Sequence, residues 1–363
     1  MDRRRFLKYA GATAAVVGAS ALGLDCLSRQ TPSSVSPTTL APTLRELTAT
    51  SASSITSTSV AQLASLEGRL FFDYNGNGVQ DGEEPAVQAA KVLLKDNTGK
   101  VIADAITDSA GDYELEDIKV GSYGLYVETD RKFRYMCTSV EEFREVTDGY
   151  DVLLNGLGKI DIGLMEGFLT LPFLKDTKIE HIVYVDLDFE KGYRDWMGND
   201  PNYFKKFSTR GTVNNHLGTD FYVREGSPVV SSAPGKIIVI ENSWPNQPKS
   251  NWLGWGDGNS VIIEHGPIRK GFYGPKQKFY TIYCHLKEAE RDLEEEQFVS
   301  RGDIIGSADR TGDWPPGEPT HVHFQLDVGG NGRNHRLDPY RDLSDSNSIS
   351  YWTKDNDPQY PSA

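Results

Sequence analysis

Four of the chain's seven histidines stand in spacings that metal chemistry uses. His216-Leu217-Gly218-Thr219-Asp220 sets an imidazole four residues before a carboxylate. Tyr283-Cys284-His285-Leu286 ends a β-like run that begins near Phe279. Thr320-His321-Val322-His323-Phe324-Gln325-Leu326 alternates histidines with apolar residues. On a strand His321 and His323 project to one face, with Val322 and Phe324 on the other. Two such histidines can share a metal, or one can bind it while the other stands beside its water. A catalytic zinc takes three ligands from His, Asp or Glu and leaves its fourth position to water. His216, Asp220 and one histidine of the pair make that set. The same alternation turns Cys284 away from His285, which makes it a buried core residue; nothing in the sequence demands a disulfide between Cys284 and Cys137.

A second constellation suits a harder cation. In Asp73-Tyr74-Asn75-Gly76-Asn77-Gly78-Val79-Gln80-Asp81-Gly82-Glu83-Glu84, side-chain oxygens fall at loop positions 1, 3, 5, 9 and 12, with glycine at 6. Calcium loops supply their ligands from these positions. Asp73, Asn75, Asn77 and Asp81 would bind through side chains, Val79 through its carbonyl, and Glu84 through both carboxylate oxygens.

The elements that must hold these residues read as strands. Gly68–Phe72, Lys91–Leu94, Val101–Ala103, Tyr113–Leu115 and Tyr123–Val127 are short alternating runs broken by turn residues, the pattern of an all-β sandwich. Residues 130–165 show no clear pattern. Upstream, residues 27–66 are dominated by Ser, Thr, Pro and Ala and read as a solvated linker. Residues 1–26 have export grammar: a basic start, then an apolar stretch from Tyr9 to Leu24. Cys26 fits a lipoprotein cleavage site only loosely, because Asp25 precedes it; a retained N-terminal segment would be a membrane tether.

The chain has 363 residues, 38 Lys+Arg against 52 Asp+Glu, and a net charge of −14. That acidity argues against nucleic acid as a partner and suits hard cations. Three cysteines are too few for a disulfide scaffold.

Two resemblances follow from these motifs. Asp73-x-Asn75-x-Asn77-Gly78-x-x-Asp81-x-x-Glu84, followed by Thr107–Tyr113, resembles the B-repeats of Sdr-type surface adhesins, which are calcium-binding Cna-B-like sandwiches. The His-x-x-x-Asp, His-Leu and His-x-His series resembles the lysostaphin-type (LytM-like) zinc metallopeptidases of bacterial cell walls. Gly226–Val229, Ala233–Ile237, Gly258–Gly266, Val299–Gly306, Thr311-Gly312 and Leu337-Asp338-Pro339 follow the same order. Arg3-Arg4-Arg5-Phe6-Leu7-Lys8 resembles a twin-arginine export motif, with Asp2 in place of the usual Ser or Thr.

The resemblances imply an all-β chain: an Ig-like β-sandwich at 67–165, then an antiparallel, barrel-like (duplicated hybrid motif) peptidase domain at 166–363. His216, Asp220 and His323 are the implied zinc ligands, and His285 and His321 the implied catalytic pair, one taking a proton and the other steadying the oxyanion. His265 is implied to be structural, and His181 and His335 read as solvent-facing. Gln325 replaces a commonly acidic residue and Cys284 a commonly small one. The loops 242–257 and 268–277 are longer than a hairpin needs, and Trp244, Trp252 and Trp255 are candidate platforms for substrate. The expected function is an exported zinc metalloendopeptidase acting on peptidoglycan peptides; a silent wall-binding or regulatory relative and an endopeptidase acting on proteins are the alternatives.

Overall fold

Period-two alternation drives stretches such as Leu63–Phe72 and Asp112–Lys119 into strands that bury one face, while others, such as Ile162–Met165 and Thr219–Tyr222, are buried on both. The computed structural model describes residues 62–129, 133–185, 216–244, 258–269, 275–289, 292–312, 318–330, 335–340 and 350–356. The export segment, Cys26, Trp252, Trp255 and most of the two long loops lie outside the described residues. Among the described residues no helix is long and apolar enough to cross a membrane.

Ten strands make the first half: β1 (Leu63–Phe72), β2 (Lys91–Lys95), β3 (Val101–Ile106), β4 (Asp112–Lys119), β5 (Gly121–Glu128), β6 (Tyr135–Ser139), β7 (Glu142–Glu145), β8 (Tyr150–Leu154), β9 (Leu157–Lys159) and β10 (Ile162–Met165). One sheet runs β4-β1-β10-β6-β7 with β9 on β1, and the other runs β3-β2-β5-β8. Leu66, Leu70, Leu115 and Ile162 of the first meet Val92, Leu94, Leu125 and Val152 of the second in one core. The expected Ig-like sandwich is present, with β1 parallel to β9 and β10. β1 starts at Leu63, inside the stretch read as linker, because Ala64 and Leu66 are already buried.

The second half contributes β11 (His181–Val183), β12 (Thr219–Tyr222), β13 (Pro228–Val230), β14 (Gly235–Glu241), β15 (Asn259–Arg269), β16 (Lys276–Ala289), β17 (Phe298–Val299), β18 (Ile304–Ala308), β19 (His321–Val328) and β20 (Arg336–Leu337). They form an antiparallel sheet ordered β11-β12-β19-β16-β15-β14-β17, with β18 pairing β13 and β16, and β20 on β19. Its core joins Phe221, Val261, Phe279, Tyr283, Val322 and Phe324 to Phe168, Tyr351 and Trp352, and continues into Tyr135, Cys137 and Met165 of the first half. The expected boundary at 165/166 thus crosses a shared core, and Gln62–Ala363 forms one compact unit.

Candidate metal centre

Strand register brings together residues that lie about a hundred positions apart. Asp220 on β12 stands opposite His323 on β19, and Tyr222 opposite His321. Cys284 on β16 stands opposite His323 from the other side. Directly paired residues share a face of the sheet, so these side chains converge on one surface, while Val322 and Phe324 enter the core behind it.

His285 reaches that surface by a different route. Alternation from Cys284 would send it into the core, but the β15–β16 register shifts between Asn259 and Val261 and His285 takes a φ of 62°. A left-handed non-glycine residue is costly and persists only where its surroundings hold it. Here His285 Nδ1 donates to the Thr311 carbonyl at 2.9 Å, and the Thr311 hydroxyl donates to the Leu286 carbonyl at 2.6 Å. The His285 ring lies 5.1 Å from that of His321 and 6.0 Å from that of His323. The expectation that Cys284 points away from His285 is therefore corrected. Cys284 is buried as expected, but with Ile262, Tyr280 and Ile282 on the face of the sheet that carries His323. Cys137 and Cys284 are both buried and neither is in a disulfide.

His216, Asp220 and His323 each offer a ligand atom within 4.8 Å of the others, the one such group of His, Cys, Asp or Glu among the described residues. His216 Nε2 is 3.1 Å from Asp220 Oδ2, and His323 Nδ1 is 2.6 Å from Asp220 Oδ1. His216 Nδ1 donates to the Tyr184 carbonyl at 2.9 Å, which leaves its Nε2 lone pair turned to the cluster. A backbone acceptor behind a ligating imidazole is the usual way of fixing its tautomer. Gly218 permits the close packing: a β-carbon there would lie 2.7 Å from His323 Nε2 and 2.4 Å from the Phe324 carbonyl oxygen.

The electrostatics suit a cation. Burial alone would raise the Asp220 carboxyl, but His216, His321 and His323 outweigh it and hold the group well below the usual carboxylate range. Burial likewise opposes protonation of His216, yet the Asp220 charge wins and raises it. His321 goes the other way, pushed down to about 3 chiefly by burial. Two converging imidazoles and a carboxylate suit zinc in ligand type and number.

Sequence reasoning missed the residues around the cluster. Glu318, 4% exposed, accepts the Tyr222 hydroxyl at 2.8 Å and lies 3.8 Å from His321 Nδ1. Burial, then the Asp220 charge, lifts its carboxyl to about 7. A glutamate three residues before a histidine pair carries no signal by itself; its role depends on Tyr222 arriving from β12.

The other histidines take structural places. His265 is buried between the Pro234 carbonyl and the Thr281 hydroxyl, each 2.9 Å from a ring nitrogen, and burial pushes it down to about 4. His181 and His335 are half-buried rather than solvent-facing: His181 packs against Tyr222, and His335 donates to the Val328 carbonyl. Trp244 is held at its backbone by Asn259.

In the loop after β1, Asp73 is buried and accepts the N–H groups of Gly76, Asn77 and Gly78 and the Cys137 thiol. Asn75 and Asn77 both donate to Asp81 Oδ2, and Glu84 accepts from the Tyr74 and Asp81 backbones. Val79 is exposed. Gly78, at φ 75°, is obligatory, since a β-carbon would sit 2.3 Å from the Ser139 nitrogen.

Two family models match parts of the chain. Residues 214–339 match the family model described as Peptidase family M23, and residues 64–148 match the SdrD B-like domain. Over 57 residues the chain is 46% identical to the bone sialoprotein-binding protein of Staphylococcus aureus (strain MRSA252) and to serine-aspartate repeat-containing protein E of strain MSSA476. Those matches cover 16% of this chain, which spans about 5% of the length of these relatives. Among solved structures, the catalytic domain of lysostaphin from Staphylococcus simulans is 20% identical, covering 39% of this chain and 94% of that one, with a TM-score of 0.25. Csd3 of Helicobacter pylori is 13% identical, covering 74% and 67%, with a TM-score of 0.30.

Proposed function

We propose that this chain, which carries a Peptidase family M23 domain behind an SdrD B-like domain, is an exported zinc metalloendopeptidase that hydrolyses amide bonds in peptidoglycan peptides. The observation that carries the reading is the convergence of His216, Asp220 and His323 with His285 and His321 beside them, inside the span of the M23 match. His216 Nε2, an Asp220 oxygen and His323 Nδ1 would hold the zinc. Bound there, zinc supplies a Lewis acid and lowers the pKa of a coordinated water toward neutrality. His321 turns Nε2 toward the cluster, 3.7 Å from Asp220 Oδ2, and its burial keeps it neutral, so it is the proton acceptor. Behind its Nδ1 stand the Pro319 carbonyl at 3.3 Å and, at 3.8 Å, Glu318, whose carboxyl in its ionised form would offset the positive charge that the ring gains. His285 enters from β16 and is placed to steady the oxygen of the attacked carbonyl. No serine or cysteine nucleophile is required.

The loop Asp73–Glu84 would bind calcium through Asp73, Asn75, Asn77, Val79, Asp81 and Glu84, and the basic N-terminus would direct twin-arginine export, placing both domains outside the cytoplasm. The test uses the purified full chain beside His323→Ala, with metal analysis followed by incubation with peptidoglycan sacculi and, separately, with casein. One zinc per chain and new amino groups from sacculi in the parent alone are expected. Cleavage of casein but not sacculi would move the substrate to proteins, and zinc without cleavage of either would overturn the hydrolase reading.

A further inference from the structure

The strand that carries His285 is bulged at that residue. Asn259 pairs with Leu286 and Val261 with Tyr283, so Ser260 alone faces two residues, Cys284 and His285. A bulge re-aims a side chain and disrupts the ladder beside it. Here side chains fill the break. The hydroxyl of Thr311, fully buried, accepts the Asn259 N–H at 2.9 Å and donates to the Leu286 carbonyl at 2.6 Å, so it bridges β15 to β16. Its direction is fixed, because an N–H only donates and a carbonyl only accepts. The buried Asn259 amide is fixed in the same way: it accepts the Trp244 N–H and donates to the Trp244 and Lys287 carbonyls. The segment that carries Thr311 also meets His285 twice. The Asp309 N–H donates to the His285 carbonyl at 3.0 Å, and the Thr311 carbonyl accepts its ring Nδ1. Gly258, at φ 69°, lets β15 pass this close, since a β-carbon there would lie 2.2 Å from the Thr311 carbonyl oxygen. No hydrogen bond of this set involves His216, Asp220 or His323.

We propose that Thr311 is a positioning residue, with Asn259 as its partner: their side chains wedge the end of β16 so that His285 stands beside His321 and His323 instead of following the strand into the core. Thr311→Val keeps the shape of the side chain and removes the hydroxyl. The Asn259 N–H and the Leu286 carbonyl are then left without the partner between them, which is costly in a buried place. A regular ladder would satisfy both groups, and it would turn residue 285 away from the face that carries His323. What His285 does at that face rests on the metallopeptidase reading given above; where its ring stands does not.

The test compares the full-length parent, Thr311→Val and Thr311→Ser by steady-state kinetics on sacculi, with zinc measured on the same samples. Thr311→Val should lose about 10–100-fold in kcat with KM within about threefold and zinc content unchanged, the effect of a misplaced group at a reacting carbonyl. Thr311→Ser restores the hydroxyl and should recover kcat to within about threefold of the parent. Histidine ring ¹H–¹⁵N spectra, assigned with His285→Gln, supply a second readout. The His285 Nδ1 proton should exchange slowly with water in the parent and in Thr311→Ser, and at least about tenfold faster in Thr311→Val. A hydroxyl that is merely structural would cost stability and leave both readouts in place, so either one at the parent's value in a folded Thr311→Val overturns the proposal, as does loss of zinc. If Thr311→Val does not fold, Asn259→Ser replaces it with the same expectations. A fast-exchanging ring proton in the parent overturns the proposal by itself. A parent that cuts nothing overturns the hydrolase reading and leaves the ring proton to decide the wedge.

Discussion

In the proposed mechanism His321 accepts a proton in a place that resists one: it is 4% exposed and burial holds its ring far below the usual range. Asp220 is shared among three histidines, so the charge best placed to offset an imidazolium is that of Glu318, steadied by Tyr222. Glu318→Gln keeps the shape and removes the charge. Its kcat on the wall substrate should fall about 10–100-fold with KM and zinc content unchanged; steady-state kinetics with metal analysis on the same sample checks this, and loss of zinc would make Glu318 a builder of the metal site instead. His216, Asp220, His321 and His323 were legible because metal chemistry admits few residue types and His-x-x-x-Asp and His-x-His place them at short range; His285 was marked only by the His-Leu that ends its strand. Glu318, Tyr184 and Thr311 were not legible, since each acquires its role from a strand or loop distant in sequence.

At the scale of elements, alternation revealed strands such as β1 and β4, whose burial alternates along the chain, and failed for β6, where Tyr135, Met136 and Cys137 are all buried between two cores. It failed again at His285, where the bulge carries the side chain to the metal face. His265 shows what holds that region in register, since its ring bridges the turn before β14 to β16. Folded, it titrates at about 4; unfolded, near 6.5, so the unfolded chain binds the extra proton. Its contribution is complete above pH 6.5 and lost as the pH falls through 4, in total about 3 kcal/mol. Urea unfolding of the parent and His265→Gln at pH 7.5 and 4.5 isolates it: the parent should lose about 2–4 kcal/mol more than the variant across that interval. Equal losses would show that the ring is protonated in the folded state. At Gly218 the sheet has no room for a side chain, so Gly218→Ala should cut zinc affinity at least about tenfold, read by chelator competition.

The molecule as a whole departs from a spacer carrying an independent enzyme. Phe168 packs between Tyr135 and Phe143 on one side and Phe279 and Tyr351 on the other, a single aromatic cluster from both halves. The calcium-type loop lies at the same seam. The Asp355 N–H donates to the Tyr74 carbonyl at 3.0 Å, and Lys354 Nζ sits 3.8 Å over the Tyr74 ring. Arg301, 8% exposed, donates to the Phe168 and Ser232 carbonyls while its Nε and one terminal nitrogen are unpaired among the described residues, and the Asp73 charge acts on it. An ion ordering this loop would therefore brace the peptidase half as well. Calcium at a hundred times its dissociation constant would add about 2.7 kcal/mol to folding. For a unit of this size that is a Tm higher by about 4 °C. Calorimetry of the full chain with calcium and with a chelator should show the peptidase signal, read separately through zinc release, moving with the sandwich in one transition. Asp73→Asn should remove the shift in both. A peptidase transition indifferent to calcium, beside a sandwich that responds, would mean that the shared core alone joins the halves and that the loop acts only within its own sheet.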